Sequence, residues 1–183
     1  MSQFIFPDNT KPPIALILAG SDSTHLWPLA EKSLLRFAGA TLLQRHLDAL
    51  AQLGLEEVII VASSANIEDA RAEARAWQKR RPNRIAEVVE QPAPLGMGDA
   101  ILKAKDALNR REGWPIYVTT AHDVVDPRLH VAILEAYCRR DAHSYLADHR
   151  QRPRGSPPPP KITTPHKNRR PPAHHAAGIA GGD

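Results

Sequence analysis

Residues 14–20 read IALILAG, an apolar run without polar alternation that stops at a glycine. A strand with one face in water would alternate. This one reads as a strand buried on both faces of a parallel sheet. Working outward, residues 41–53, TLLQRHLDALAQL, place Leu42, Leu43, Leu47, Leu50 and Leu53 on one helical face. Thr41 stands where an N-cap is wanted and Gly54 where a left-handed C′ residue is wanted. Residues 56–63, EEVIIVAS, form a second buried strand rich in β-branched residues.

The rhythm continues. Residues 66–81, NIEDARAEARAWQKRR, predict a helix capped by Asn66, with acids in its first turn, bases in its last and Pro82 behind it. Residues 85–91, IAEVVEQ, predict a third strand, and residues 98–112, GDAILKAKDALNRRE, one helix. Residues 115–125, PIYVTTAHDVV, predict a fourth strand ending in polar residues. Residues 127–141 predict a helix opening on Pro127, and SYLAD, 144–148, the beginning of a fifth strand. Strands alternating with helices across short loops predict an α/β fold. The expected architecture is a three-layer, Rossmann-like, mostly parallel sheet with helices on both faces. In such sheets ligands bind beyond the carboxyl ends of the strands, where the polar segments after Gly20, after Gln91 and around Asp123 would lie.

The 183 residues carry a net charge of +4, yet residues 1–148 hold 17 basic and 19 acidic side chains, and residues 149–183 hold seven and one. The basic excess belongs to the tail, so no nucleic-acid groove is read from it. No apolar run approaches the roughly 18 residues that span a membrane, and MSQFIFPDNTKPP at the start has no signal-peptide arrangement. A single cysteine, Cys138, excludes an internal disulfide framework and a cysteine zinc cluster. The expectation is a cytoplasmic protein, compatible with a homo-oligomer.

After residue 147 the composition shifts. Residues 149–183 contain no aromatic residue, no Leu and no Val, two isoleucines and many prolines. Too little apolar surface is available there to offset the entropy of ordering, which predicts disorder. The domain reading is therefore a flexible segment over 1–12, an α/β domain over 13–147 and a disordered Pro/Arg/His-rich tail over 148–183. The strand–helix rhythm breaks off mid-pattern, which raises the expectation of a truncated or frame-shifted terminus.

Chemistry enters at the strand ends. After Gly20 comes a turn of small residues, Ser21-Asp22-Ser23-Thr24, then Lys32 in KSLLRFAG. There is no Walker A loop and no dinucleotide fingerprint. Backbone N–H groups in such a turn can still cradle phosphates, with Lys32 neutralising their charge. A polar loop with a solvated lysine is the competing reading. Taken singly, Gln91-Pro92 fits a strand exit, Asp123 a turn cap, Asp99 a helix first turn, and His46 and His130 packed or surface positions.

Four segments in order, ILAGSDSTHLWPL, KSLLRFAG, QPAPLG and TAHDVV, resemble the sugar-phosphate nucleotidyltransferases, whose patterns run LAGGxGTRLxPL, PKxLLPVxG, QxxPLGTA and a strand ending in GD. The resemblance covers roughly residues 13 to 147 and is specific through the agreement in order. It implies a Mg²⁺-assisted attack of a sugar 1-phosphate on the α-phosphate of a nucleoside triphosphate, with release of pyrophosphate. Carried over, it places Leu18, Ala19, Gly20, Ser21, Thr24 and His25 at the nucleotide. Lys32 falls at the phosphates, Gln91 at the base edge, Gly96 where backbone approaches the base, and Asp123 at the Mg²⁺. Lys32 and Asp123 are the implied catalytic pair.

The departures are specific. Ser21 and Ser23 replace signature glycines, and His25 replaces an arginine, so a bidentate charge gives way to an imidazole. Glu31 stands where a proline precedes the lysine, the spacing from Pro28 to Lys32 is short, and His122-Asp123 replaces GD. The acceptor half of the implied site has no counterpart in the tail. Two alternatives stay open: a non-catalytic nucleotide or nucleotide-sugar binding domain, and an unrelated flavodoxin-like regulator.

Overall fold

The computed structural model describes residues 4–20, 32–123 and 126–139, with two short strand segments at 146–147 and 162–163. Its centre is β1, Ile14–Leu18, buried along its whole length. On one side β1 pairs in parallel with β4, Glu57–Ser63, which pairs in parallel with β5, Ile85–Gln91. On its other side β1 pairs in parallel with β6, Ile116–Thr120, giving the order β5-β4-β1-β6. The chain winds outward from β1 to β5, then returns to the far side of β1. That reversal puts a topological switch point between β1 and β6.

Alternation along β1 divides the core. Ala15, Ile17 and Ala19 face α1 (Leu42–Gln52), α2 (Ile67–Arg80) and α5 (Pro127–Arg139), through Leu43, Leu47, Leu50, Trp77 and Leu134. Ile14, Leu16 and Leu18 face Ala100, Ala104 and Ala107 on the opposite side. Helices thus cover both faces of a parallel sheet, as the periodicity predicts.

Several local expectations need correction. Residues 98–112 form two helices, α3 (Met97–Lys103) and α4 (Lys105–Asn109), separated by a turn residue at Ala104. The strand expected over 115–125 ends at Thr120, because the chain then turns at Ala121. Thr41 does cap α1, its Oγ1 accepting from Gln44 N at 3.1 Å, and Gly54 has the left-handed φ of +78°. Asn66 precedes α2 without a side-chain cap bond, since its amide is spent elsewhere. Leu146–Ala147 (β7) is a strand but does not extend the main sheet; it pairs antiparallel with Ile162–Thr163 (β8), inside the tail. One hairpin had no sequence signal: β2 (Arg36–Phe37) and β3 (Ala40–Thr41) are joined by Ala38 and Gly39, both at positive φ. That pair of left-handed residues is the tight hairpin geometry in which Asn-Gly is usual and Ala is not.

Candidate active site

Because β1, β4, β5 and β6 are parallel, the segments leaving their carboxyl ends share one rim. Gln91 is the last residue of β5, Gly20 lies just beyond β1, and Asp123 follows β6. From β5 to β6 is three strand spacings, roughly 14 Å, a span over which an extended nucleotide can lie.

Gly20 is packed where the strand ends crowd together. A Cβ built on it would stand 2.9 Å from Gln91 Oε1 and 3.3 Å from Ser63 N. The residues before it are committed to structure. Leu18 and Ala19 turn their side chains into opposite core layers. Ala19 N donates to Val61 O at 2.7 Å, and Ala19 O accepts from Asn66 Nδ2 at 2.9 Å. Asn66, 1 % exposed, also accepts from Ser63 Oγ. Its buried amide ties the turn after β1 to the end of β4, a role invisible in a cap motif.

Gln91 is 3 % exposed, and its Nε2 donates to Gly96 O at 3.1 Å and to Asp99 Oδ2 at 2.9 Å. Both partners are acceptors, so the amide orientation is dictated: the nitrogen faces the loop and Oε1 faces Gly20. Gln91 thereby links the turn after β1 to the loop 92–96. Gly96 has φ +94°, with nothing within 4 Å of where a Cβ would lie, so backbone conformation and open approach coincide there. Asp99, expected only as a first-turn acid, orients Gln91 and also pairs with Lys103 at 3.8 Å.

The segment that leads to Asp123 is tied to the end of β1, where Ala121 N donates to Leu18 O at 2.9 Å. The side chain of Asp123 is 59 % exposed. Oδ2 accepts from the Thr120 hydroxyl, and Oδ1 lies 3.7 Å from His122 Nε2. Its carbonyl is held from below by His46 Nε2 on α1, at 2.8 Å. His46 is 7 % exposed, and burial lowers its pKa from the ordinary histidine value. His130 on α5 is buried against the Tyr117 hydroxyl through Nδ1. Desolvation, with the nearby His46 adding to it, lowers its pKa to about 4, while the same burial raises that of Tyr117.

Lys32 opens a short 3-10 turn, Lys32–Leu34, whose Lys32 O accepts from Leu35 N. The turn is tied to α1 by Leu42 N donating to Leu35 O at 3.1 Å. Lys32 and Asp123 are therefore related through one helix. Ser21, Thr24 and His25 lie outside the described residues. Reading His46 as an ordinary packed histidine missed its bond to Asp123. The signal was a polar residue at position 46, inside the stripe of Leu42, Leu43, Leu47 and Leu50.

Whether Mg²⁺ suits this rim depends on the donor set. Among the described residues no group of three or more His, Cys, Asp or Glu could hold a metal ion. Asp123 offers one exposed carboxylate, oriented by Thr120. That fits an ion that keeps several waters and takes one or two carboxylates together with substrate phosphates. It does not fit a resident ion in an all-protein cage.

Comparison with known proteins agrees with the fold. The chain is 37% identical over 98 residues to the bifunctional protein GlmU of Caulobacter vibrioides; the aligned stretch is 54% of this chain and 20% of that protein. This chain thus spans about a fifth of that relative's length. Its fold resembles that of a UDP-glucose pyrophosphorylase from Acinetobacter baumanii, with a TM-score of 0.55 at 17% identity over 72% of this chain and 54% of that one. The model of the MobA-like NTP transferase domain matches residues 15–181, all of the parallel sheet but Ile14 and most of the tail. The chain belongs to the MobA-like NTP transferase domain family.

Proposed function

We propose that this chain is a nucleotidyltransferase that joins a nucleoside triphosphate to a sugar 1-phosphate and releases pyrophosphate. An oxygen of the sugar 1-phosphate forms the new bond to the α-phosphorus. The bond from that phosphorus to the bridging oxygen breaks, and its electron pair leaves with pyrophosphate. The observation that carries this reading is the meeting of three strand ends on one rim, with Gly20 against Gln91 and the segment leading to Asp123 tied to the end of β1 through Ala121 and Leu18.

In this reading the backbone at Gly20 and Gly96 admits the nucleotide, and Leu18 and Ala19 shape the turn beneath it. Ser21, Thr24 and His25 complete the phosphate cradle. Gln91 holds the base-facing loop and presents Oε1. The Lys32 ammonium balances charge on the phosphates, and the Asp123 carboxylate holds the Mg²⁺ that arrives with the triphosphate. Bound Mg²⁺ supplies Lewis-acid stabilisation of the charge that develops on the phosphate oxygens. In this reading the enzyme acts in the cytoplasm on small-molecule partners.

Ser21, Ser23 and His25, at signature positions, favour a second reading: nucleotide or nucleotide-sugar binding without turnover. Pyrophosphate release from mixed nucleoside triphosphates and sugar 1-phosphates separates the two. Mg²⁺-dependent release abolished by Asp123→Ala supports the enzyme. Saturable nucleotide binding with no release supports the binding domain.

A further inference from the structure

His46 is a costly residue to place where it stands. It lies on the apolar stripe of α1, 7 % exposed, between Leu42, Leu43, Leu47 and Leu50. Burying an imidazole among leucines is unfavourable unless its polar atoms are hydrogen-bonded. Its Nε2 is 2.8 Å from Asp123 O. A carbonyl only accepts, so the proton is on Nε2 and the tautomer follows from the partner.

The carbonyl it meets lies beyond the end of β6, past the last ladder pair of that strand. Three hydrogen bonds therefore define the segment. Ala121 N on Leu18 O sets its start, His46 on Asp123 O sets its backbone height over α1, and the Thr120 hydroxyl on Oδ2 sets the carboxylate. Of these only the second reaches α1, the helix that also carries the Lys32 turn through Leu42 N and Leu35 O.

We propose that His46 is a positioning residue that fixes the Asp123 carboxylate relative to Lys32 by donating a hydrogen bond from α1 to the Asp123 carbonyl. The inference rests on the reading of Asp123 as the Mg²⁺–nucleotide acid given above. Partners that orient a ligating carboxylate typically change metal affinity 10–100-fold when lost.

The test uses the full chain with three variants. His46→Leu keeps the apolar packing and removes the donor, His46→Gln returns an N–H near the place of Nε2, and Asp123→Asn removes the carboxylate charge. Should His46→Leu fail to fold, His46→Met replaces it. The first readout is amide hydrogen exchange over 119–123 without ligand. The second is the Mg²⁺ concentration that half-saturates binding of each of the common nucleoside triphosphates. The proposal expects exchange in His46→Leu to accelerate about tenfold over 119–123 but not in β1. It expects the Mg²⁺ requirement to rise about tenfold, and both effects to return to within about twofold of wild type in His46→Gln. Wild-type behaviour in His46→Leu, or equal loss in His46→Gln and His46→Leu, overturns it. Asp123→Asn separates the failures. An unchanged Mg²⁺ response there refutes the reading of Asp123 and the proposal with it. A changed response there beside an unchanged one in His46→Leu refutes the proposal alone.

Discussion

Acidification should destabilise this fold through His130. The imidazole is 3 % exposed on α5, bonded through Nδ1 to the Tyr117 hydroxyl of β6. Desolvation holds its pKa at about 4 instead of 6.5, the neighbouring His46 pushes the same way, and Asp126 pushes weakly against. The sign follows from proton counting. Below 6.5 the unfolded chain takes up a proton that the native state refuses until about 4, so stability falls as pH falls through that window and levels off beneath it. At about 1.4 kcal/mol per pH unit, the window sets an upper limit of about 3 kcal/mol. That is a large share of the 5–15 kcal/mol usual for a domain, roughly speaking. His46, whose pKa is lowered too, adds in the same direction. Urea unfolding at a series of pH values from about 7 to about 4.5 measures the slope. His130→Asn places an amide where Nδ1 stood and removes the titration. Its stability should fall less steeply with acid than that of the wild type, by most of that limit. Parallel pH profiles for the two proteins would refute the reasoning.

Other substitutions test the supports of the rim. Gly20→Ala drives a methyl to 2.9 Å from Gln91 Oε1 and 3.3 Å from Ser63 N. Since Gln91 is held by Gly96 and Asp99, thermal unfolding should report a loss of about 1–3 kcal/mol, and an unchanged midpoint would show that Gln91 yields freely. Asn66→Asp, nearly isosteric, turns the donor facing Ala19 O into an acceptor. It should cost at least as much as Asn66→Ala, about 1–3 kcal/mol by chemical denaturation, and a cost well below that of the alanine would contradict the bond. Trp77 is fully buried, and its Nε1 has no hydrogen-bond partner among the described residues. Trp77→Ala should cost about 3–5 kcal/mol and Trp77→Phe distinctly less, because no indole hydrogen bond is lost; equal costs would point to a hidden partner.

Much of the fold was legible because burial imposes period. IALIL and EVIIVAS read as strands closed on both faces, and the five leucines of 41–53 as a single stripe; the strands take that form, and four of the leucines lie on α1 with Leu53 as its C-cap. The break at Ala104 was not legible. Ala100, Ala104 and Ala107 keep one apolar stripe across it, and the residues around it are good helix formers, so only the packing on β1 and β4 decides where the turn falls. The Ala38-Gly39 hairpin lacked the usual turn dipeptide. At the rim, parallel topology alone placed Gly20, Gln91 and Asp123 on one edge, which the order of the segments implied. The supporting bonds of His46, Asn66 and Asp99 span 77, 47 and eight residues, and the two long ones join positions that no local pattern relates.

The central claim is that a nucleotide lies across the carboxyl rim from Gln91 to Asp123. Hydrogen-exchange mapping of the full chain with each common nucleoside triphosphate, with and without Mg²⁺, tests it most directly. The account predicts Mg²⁺-dependent protection at 18–20, 91–97 and 119–123 together, with the amino edge around Glu57, Ile85 and Arg111 unmoved. Protection confined to that opposite edge, or to the tail, would contradict it.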